Sequence, residues 1–412
     1  MKKQEIYLKK NCWLYIGSVY PKHWESSYGA QYSPTYVVQR SLLKAMYDIG
    51  WQMDAILTTP PVRSFPLEPL RRYPAFKNEI FEGHPGASVV SLGWTNCEPV
   101  KSLSIGYDLF SFVFRWSKEV RKEGGIPKIF IYNFGPNSHQ AVILTIALKI
   151  LKIVGYVFIA DLYPPKNSKN LFQSLQYTTK LMLLRVAGGI AALNNNVLKD
   201  FGSKKPCVHL AGVIPDEVYF QKLLVLPISK GNSKFQTLLY TGSLNRRRGI
   251  VRLLESFKLI KSKSTRLVIT GRGDEEKRVL DAVAGDGRIK YLSLLDSQEA
   301  RLHVIRNSDI LLNPHDTSVS DVRYIFPSKL GEYLASGRIV VSTPMLSMEK
   351  FPLEHMVISE SESIENFSRA IEDAMAITRP KRIKMALSAR EWAEKNLQWD
   401  KIAQRLKDFS DD

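Results

Sequence analysis

Apolar runs and amphipathic stretches alternate regularly through the second half of the chain. Phe235 to Thr241 is a β-rich apolar run that stops at Gly242, Ile250 to Ile260 carries apolar residues at helical spacing, and Arg266 to Thr270 is strand-like again, stopping at Gly271. Ile289 to Leu292, a helical stretch from Ser297 to Arg306, and Ile310 to Asn313 continue the series. Ser328 to Ser336 then reads as a helix closed by Gly337, and Ile339 to Ser342 as the next strand. Strands apolar on both faces and separated by helices predict a parallel sheet covered on both sides. The first half is noisier. Trp13 to Gly17, Trp51 to Leu57, Lys128 to Asn133 and Tyr156 to Ala160 read as strands, with helices over Thr35 to Ile49 and Gln140 to Ile153. Together these predict an α/β protein of two Rossmann-like, doubly wound domains. Residues 1–225 form the first, 226–234 a polar hinge, 235–384 the second, and 385–412 a C-terminal helix that packs back on the first domain. Such sheets bind ligands beyond the carboxyl ends of their strands, so the domains are expected to face one another across a cleft.

Composition changes this picture little. The 412 residues suffice for two cores, and 44% apolar with 24% charged is ordinary for a globular chain. Cys12, Cys97 and Cys207 are isolated, as are the seven histidines, so neither a disulfide framework nor a metal-ligand cluster is expected. Free thiols suit a cytoplasmic protein. Met1 to Lys10 lacks the apolar core of a signal peptide. Ala141 to Ala160 is apolar but contains Lys149, Lys152 and Gly155, which suits a helix followed by a buried strand better than a membrane span.

Charge adds more. Of the net +18, residues 1–230 hold 28 Lys and Arg against 15 Asp and Glu, and the remainder 30 against 25. A basic first half points to an anionic partner: phospholipid, a lipid-linked phosphate or nucleic acid. Tyr107 to Lys122 sets Arg115, Lys118, Arg121 and Lys122 beside Phe110, Phe114 and Trp116, a composition suited to an anionic membrane surface or to a helix facing the core.

Three segments carry candidate chemistry. Pro327-Ser328 puts a fixed-φ residue and a good N-cap before a helix, whose first N–H groups suit a phosphate or hydroxyl; Glu332, one turn in, suits a ribose diol. A capped surface helix explains the same residues. In Leu239-Tyr-Thr-Gly-Ser-Leu-Asn-Arg-Arg-Arg-Gly249, Gly242 and Ser243 allow close backbone approach to a ligand. Arg246, Arg247 and Arg248 then offer bidentate contacts to a departing diphosphate, a task that Mg²⁺ performs elsewhere. An exposed basic loop is the plainer alternative. Gly271-Arg-Gly273 is a third strand-to-turn site, not a dinucleotide fingerprint, because Glu276 stands at the third glycine position.

The order Thr-Gly-Ser-Leu…Arg-Gly, Ile-Thr-Gly-Arg-Gly, Asn-Pro…Phe-Pro-Ser-Lys-Leu-Gly-Glu-Tyr-Leu-Ala-Ser-Gly over residues 236–345 resembles the donor domain of retaining glycosyltransferases of family 4, with the GT-B fold. It is most similar to the bacterial polysaccharide-assembly branch. The resemblance implies a metal-independent hexosyltransferase that needs no cofactor beyond a UDP- or GDP-sugar co-substrate. It implies that Arg248 contacts donor phosphates and Glu332 the ribose, and that Ser328, Lys329 and Leu330 lie beside the diphosphate and sugar. Tyr324 stands where the family has the first Glu of an E-x7-E motif, with Asp321 a candidate substitute. In the first half, Ser27-Tyr-Gly29-Ala-Gln31 resembles a Gly-rich phosphate loop, and His139 and Asp161 are candidate sugar or acceptor contacts. The implied acceptor is a hydroxyl of a glycan or a polyprenyl-diphosphate-linked sugar, in capsule, exopolysaccharide or O-antigen synthesis at the inner face of the cytoplasmic membrane. Two rivals remain: an epimerase-like enzyme that converts donor alone, and a nucleic-acid binder, which no motif supports.

Overall fold

A computed structural model describes residues 11–24, 34–59, 64–67, 70–73, 75–97, 100–134, 140–165, 171–214, 216–229, 235–316, 322–345 and 347–411. The chain divides into two compact units, residues 1–210 with 399–412, and residues 211–398.

The first unit contains β1 (Asn11–Gly17), β2 (Ala55–Thr58), β3 (Arg72–Tyr73), β4 (Phe76–Phe81), β5 (His84–Ser91), β6 (Trp94–Thr95), β7 (Ile126–Tyr132), β8 (Val154–Ile159), β9 (Gly189–Ala192) and β10 (Cys207–His209). Eight of these form one sheet in the order β10-β9-β8-β7-β1-β2-β5-β4, while β3 and β6 pair separately. The sheet is parallel except for β4, which pairs antiparallel with β5 at one edge. Leu14, Tyr15 and Ile16 at its centre are all fully buried, as strands covered on both faces must be. The apolar stretch at 141–160 resolves into a helix, Gln140–Ile150, and β8. Among the described residues no helix is long and apolar enough to cross a membrane.

The second unit contains β11 (Gln236–Thr241), β12 (Thr265–Thr270), β13 (Ile289–Tyr291), β14 (Ile310–Asn313), β15 (Ile339–Ser342) and β16 (Val357–Ile358). Their order, β13-β12-β11-β14-β15-β16, is that of a dinucleotide-type doubly wound sheet. One core joins sheet and helices: Leu238, Leu267, Ile310 and Ile339 from the strands meet Leu253, Phe257, Phe367 and Ile371 from the helices. Full burial of one such side chain contributes about 1.5–3 kcal/mol.

The division falls elsewhere than composition suggests. Residues 211–225 lie in the second unit, where the helix Glu217–Leu224 faces the helix Lys329–Ala335 through Tyr219 and Glu332. The stretch expected to be a hinge is held at its start. Arg390 donates to the Leu226 carbonyl at 2.7 Å, and Arg338 to that of Pro227 at 2.6 Å. Residues 230–234 lie outside the described set. The single C-terminal helix is two, Arg379–Leu397 and Trp399–Asp411, separated by Gln398 in an extended conformation. The first belongs to the second unit and the other to the first.

Candidate functional site

In the second unit the strand order reverses between β11 and β14, the switch point beyond whose strand ends doubly wound sheets take their ligands. The loop after β11 makes a single 3₁₀ turn, Arg246–Arg248, capped by Asn245, whose Oδ1 accepts from Arg248 N at 2.9 Å. Gly249 closes the turn with φ 76°, where a side chain is strained. A Cβ there would stand 1.5 Å from the carbonyl oxygen of Pro314, so the loops after β11 and β14 touch at this residue. A Cβ on Gly271 would likewise meet the Gly242 carbonyl oxygen at 1.8 Å, which stacks the loops after β11 and β12.

This contact sets Arg248 against His315. Their Nη1 and Nε2 atoms are 3.1 Å apart. A guanidinium only donates, so Nε2 is the bare ring nitrogen and Nδ1 carries the proton. His315 is 4% exposed; burial first, then the charges of Arg248 and Arg252, push its pKa down to about 3. The imidazole is therefore neutral near pH 7. Arg252 braces the same loop: Nη1 donates to the carbonyls of Pro314 (3.0 Å) and His315 (2.7 Å), and Nη2 reaches Asp316 and Glu362 at 3.2 and 3.3 Å. Arg246 is paired with Glu275 at 3.0 Å. Arg247 is half-buried, and its carbonyl accepts from Asp316 N. Among the described residues no carboxylate pairs with Arg248, which leaves its charge available to an anion.

The helix Lys329–Ala335 is tied to the same end of the sheet. The Tyr333 hydroxyl donates to the Thr241 carbonyl and accepts from Thr241 N, both at 3.3 Å, and burial pushes its phenol up to about 12. Glu332 is 3% exposed and accepts from Lys329 Nζ at 3.3 Å on each oxygen and from the Tyr219 hydroxyl at 3.4 Å. Burial and the Glu332 charge raise the Tyr219 phenol far above its usual range. Ser328 occupies the N-cap position but has helical dihedrals and makes no side-chain capping bond. The carbonyls of Phe326 and Pro327 already take the Ser328 and Leu330 N–H groups. The expected N-cap contact is thus replaced by a tight turn, in which Pro327 and Leu330 are buried and Ser328 is exposed. Tyr324 ends the turn Val322–Tyr324 and is buried, with the Arg323 guanidinium 5.7 Å from its ring.

The structure therefore brings Gly242, Ser243, Arg248, Gly271 and Glu332 to one end of the second sheet. Asp161 lies in the first unit, just after β8, and accepts from the Tyr163 hydroxyl at 3.1 Å. Gly29, His139 and Asp321 fall outside the described residues. Sequence reasoning missed His315, Arg252, Tyr219 and Tyr333. For His315 the signal was its place two residues beyond Asn313, at the end of a strand. A groove of about 870 Å³ between the helices Ile250–Leu259 and Glu276–Gly285 is lined by four Lys or Arg side chains and five carboxylates, a balance that does not suit a diphosphate.

Residues 235–376 match the family model described as Glycosyl transferases group 1. The second unit therefore carries a glycosyltransferase group 1 domain. No curated protein matches the chain in sequence. Its fold is that of GT-B enzymes. A sucrose-phosphate synthase from Thermosynechococcus elongatus superposes with a TM-score of 0.65 at 13% identity, covering 98% of each chain. An α,α-trehalose 6-phosphate synthase from Burkholderia multivorans gives 0.64 at 12%, covering 98% of this chain and 99% of that one. Anabaena HepE, solved in complex with UDP, gives 0.63 at 12%, covering 97% and 98%.

Proposed function

We propose that the chain is a glycosyltransferase taking its sugar from a nucleotide diphosphate donor held at the β11/β14 switch point. The observation that carries this reading is Arg248, a cation without a carboxylate partner among the described residues, fixed by a neutral histidine where two loops cross. Its guanidinium offsets the charge that grows on the departing diphosphate, and the loop glycines let backbone approach the phosphates. Glu332 takes the ribose hydroxyls by exchanging its Lys329 contact for them, which frees the ammonium for the diphosphate. The base is uracil or guanine; HepE, of the same fold, was solved with UDP. The acceptor is a hydroxyl on a glycan or a polyprenyl-diphosphate-linked sugar, attacked with retention, in cell-surface polysaccharide assembly. The family-4 motif order and the basic first half support this part of the reading.

A thermal-shift panel of UDP, GDP, ADP and their sugar conjugates, with and without EDTA, tests it. A ligand held only by the folded state raises the melting temperature by mass action. One nucleotide should give a shift that survives EDTA and is lost in Glu332→Ala. No shift with any of them removes the donor assignment.

A further inference from the structure

Three neighbouring helices of the first unit, Val100–Lys122, Gln140–Ile150 and Leu171–Val186, precede β7, β8 and β9. The first two pack closely: a Cβ on Gly106 would stand 3.2 Å from Ile143 Cγ1. Each helix buries one stripe against the sheet and exposes another that is also apolar. On the first, Leu103, Tyr107 and Phe114 fall at i, i+4 and i+11 and are 72, 75 and 46% exposed. On the second, Val142, Ile146 and Ile150 repeat at i, i+4 and i+8, with Ile150 at 66%. On the third, Leu171, Leu175 and Met182 fall at i, i+4 and i+11 and are 83, 63 and 46% exposed. Between the stripes runs a shallow groove of about 260 Å³, with Gly106, Val142, Ile143 and Leu175 in its walls. Apolar side chains clustered this way on a water-facing surface mark a docking site.

Cations gather at the carboxyl ends of the same helices. Lys118, Arg121 and Lys122 close the first, Lys149 and Lys152 follow on the second, and Arg185 ends the third. Arg121 ties two of these ends together by donating to the carbonyls of Leu151 (2.6 Å) and Lys152 (3.3 Å). The second and third helices contain no carboxylate, and on the first Asp108 and Glu119 stand on the flank away from the apolar stripe. We infer that this three-helix face rests on an anionic phospholipid surface, with the apolar stripes entering the headgroup boundary and the basic ends on lipid phosphates. Charge selects this occupant. A second copy covering the face would bury these Lys and Arg side chains without carboxylates on the second and third helices to meet them, and protein interfaces are depleted in lysine. A surface of anionic lipid satisfies both the cations and the apolar rows. The inference stands independently of the donor site.

Flotation of the full chain with phosphatidylglycerol-containing vesicles, against pure phosphatidylcholine vesicles, tests it. Binding to the anionic vesicles at low salt should fall roughly tenfold at high salt or on phosphatidylcholine. The double variant Tyr107→Glu, Leu175→Glu should lose flotation while keeping the wild-type melting temperature, since both side chains are exposed. No flotation with anionic vesicles at low salt, or undiminished flotation of the double variant, would overturn it. So would concentration-dependent self-association that the double variant abolishes, which assigns the face to a second copy.

Discussion

Arg248 donates from Nη1 to the bare Nε2 of His315 at 3.1 Å, so one side chain from each of the two loops at the switch point fixes the other. The pairing is asymmetric: the histidine takes up none of the arginine's charge, and that charge remains for an anion.

Replacing Arg248 by Ala should lower kcat/KM for the donor roughly 10- to 150-fold, the worth of a charged hydrogen bond at about 1.5–3 kcal/mol. Lys at the same place keeps the charge without the fork and should fall between. The effect of His315 is indirect. His315→Gln keeps an acceptor facing the guanidinium and should stay near wild type, whereas His315→Leu should raise KM more than it lowers kcat. Steady-state kinetics of nucleotide release separates these cases; unchanged turnover in Arg248→Ala ends the phosphate assignment.

The same histidine makes stability depend on pH. Its pKa is about 3 in the folded chain against an ordinary 6.5, so below pH 6.5 the unfolded chain takes up a proton that the folded one refuses. Its contribution is complete above about pH 6.5 and is lost at up to about 1.4 kcal/mol per pH unit as pH falls toward 3. Urea midpoints at pH 7, 6 and 5 should fall more steeply for the wild type than for His315→Gln. Parallel curves would show that the ring is not held neutral.

The second sheet was legible because buried parallel strands are continuous apolar runs: Leu238 to Tyr240 and Ile310 to Leu312 have no polar residue to blur them. The hairpin β4–β5 was not, since its edge strand Phe-Lys-Asn-Glu-Ile-Phe mixes polar and apolar positions. Leu226 to Lys234 reads as a hinge by composition, yet its first residues are held through backbone carbonyls, which composition cannot register. Arg248 and Glu332 stood out through motif order. His315 did not, because an isolated histidine carries its meaning only once the fold brings Arg248 and Arg252, four residues apart, onto it.

Gly249 is where the two loops meet, and its φ of 76° already disfavours any side chain. Ala there adds about 1–2 kcal/mol of left-handed backbone cost and drives a methyl into the Pro314 carbonyl, which must retreat. Gly249→Ala should therefore lose more than about 2 kcal/mol of stability and weaken nucleotide binding together. Gly285→Ala meets nothing within 4 Å and serves as the control. Equal melting temperatures and nucleotide shifts for the two variants would show that the loops are not packed at residue 249.

Arg338 offers the sharpest test of how residues 226–229 are held. It is 2% exposed, and burial lowers its pKa to about 10, so it stays charged at pH 7. Nε donates to the Ile305 carbonyl at 3.1 Å, Nη2 to Arg306 at 3.0 Å, and Nη1 to Pro227, Ser336 and Gly337 at 2.6, 3.2 and 3.3 Å. One guanidinium thus satisfies backbone from three separate segments, and its removal strands several buried acceptors at once. At about 1–3 kcal/mol for each unsatisfied group, and with incomplete additivity, Arg338→Met should cost on the order of 3 kcal/mol or more. Lys places one ammonium where five N–H groups were arranged and should recover only part of that. Denaturant midpoints at constant slope report the loss. Well below the transition, the nucleotide dissociation constant should not change, because none of these contacts reaches the switch point. A loss under 1 kcal/mol would mean that the Pro227 carbonyl and its neighbours find water or other donors, leaving this segment free to serve as a hinge after all.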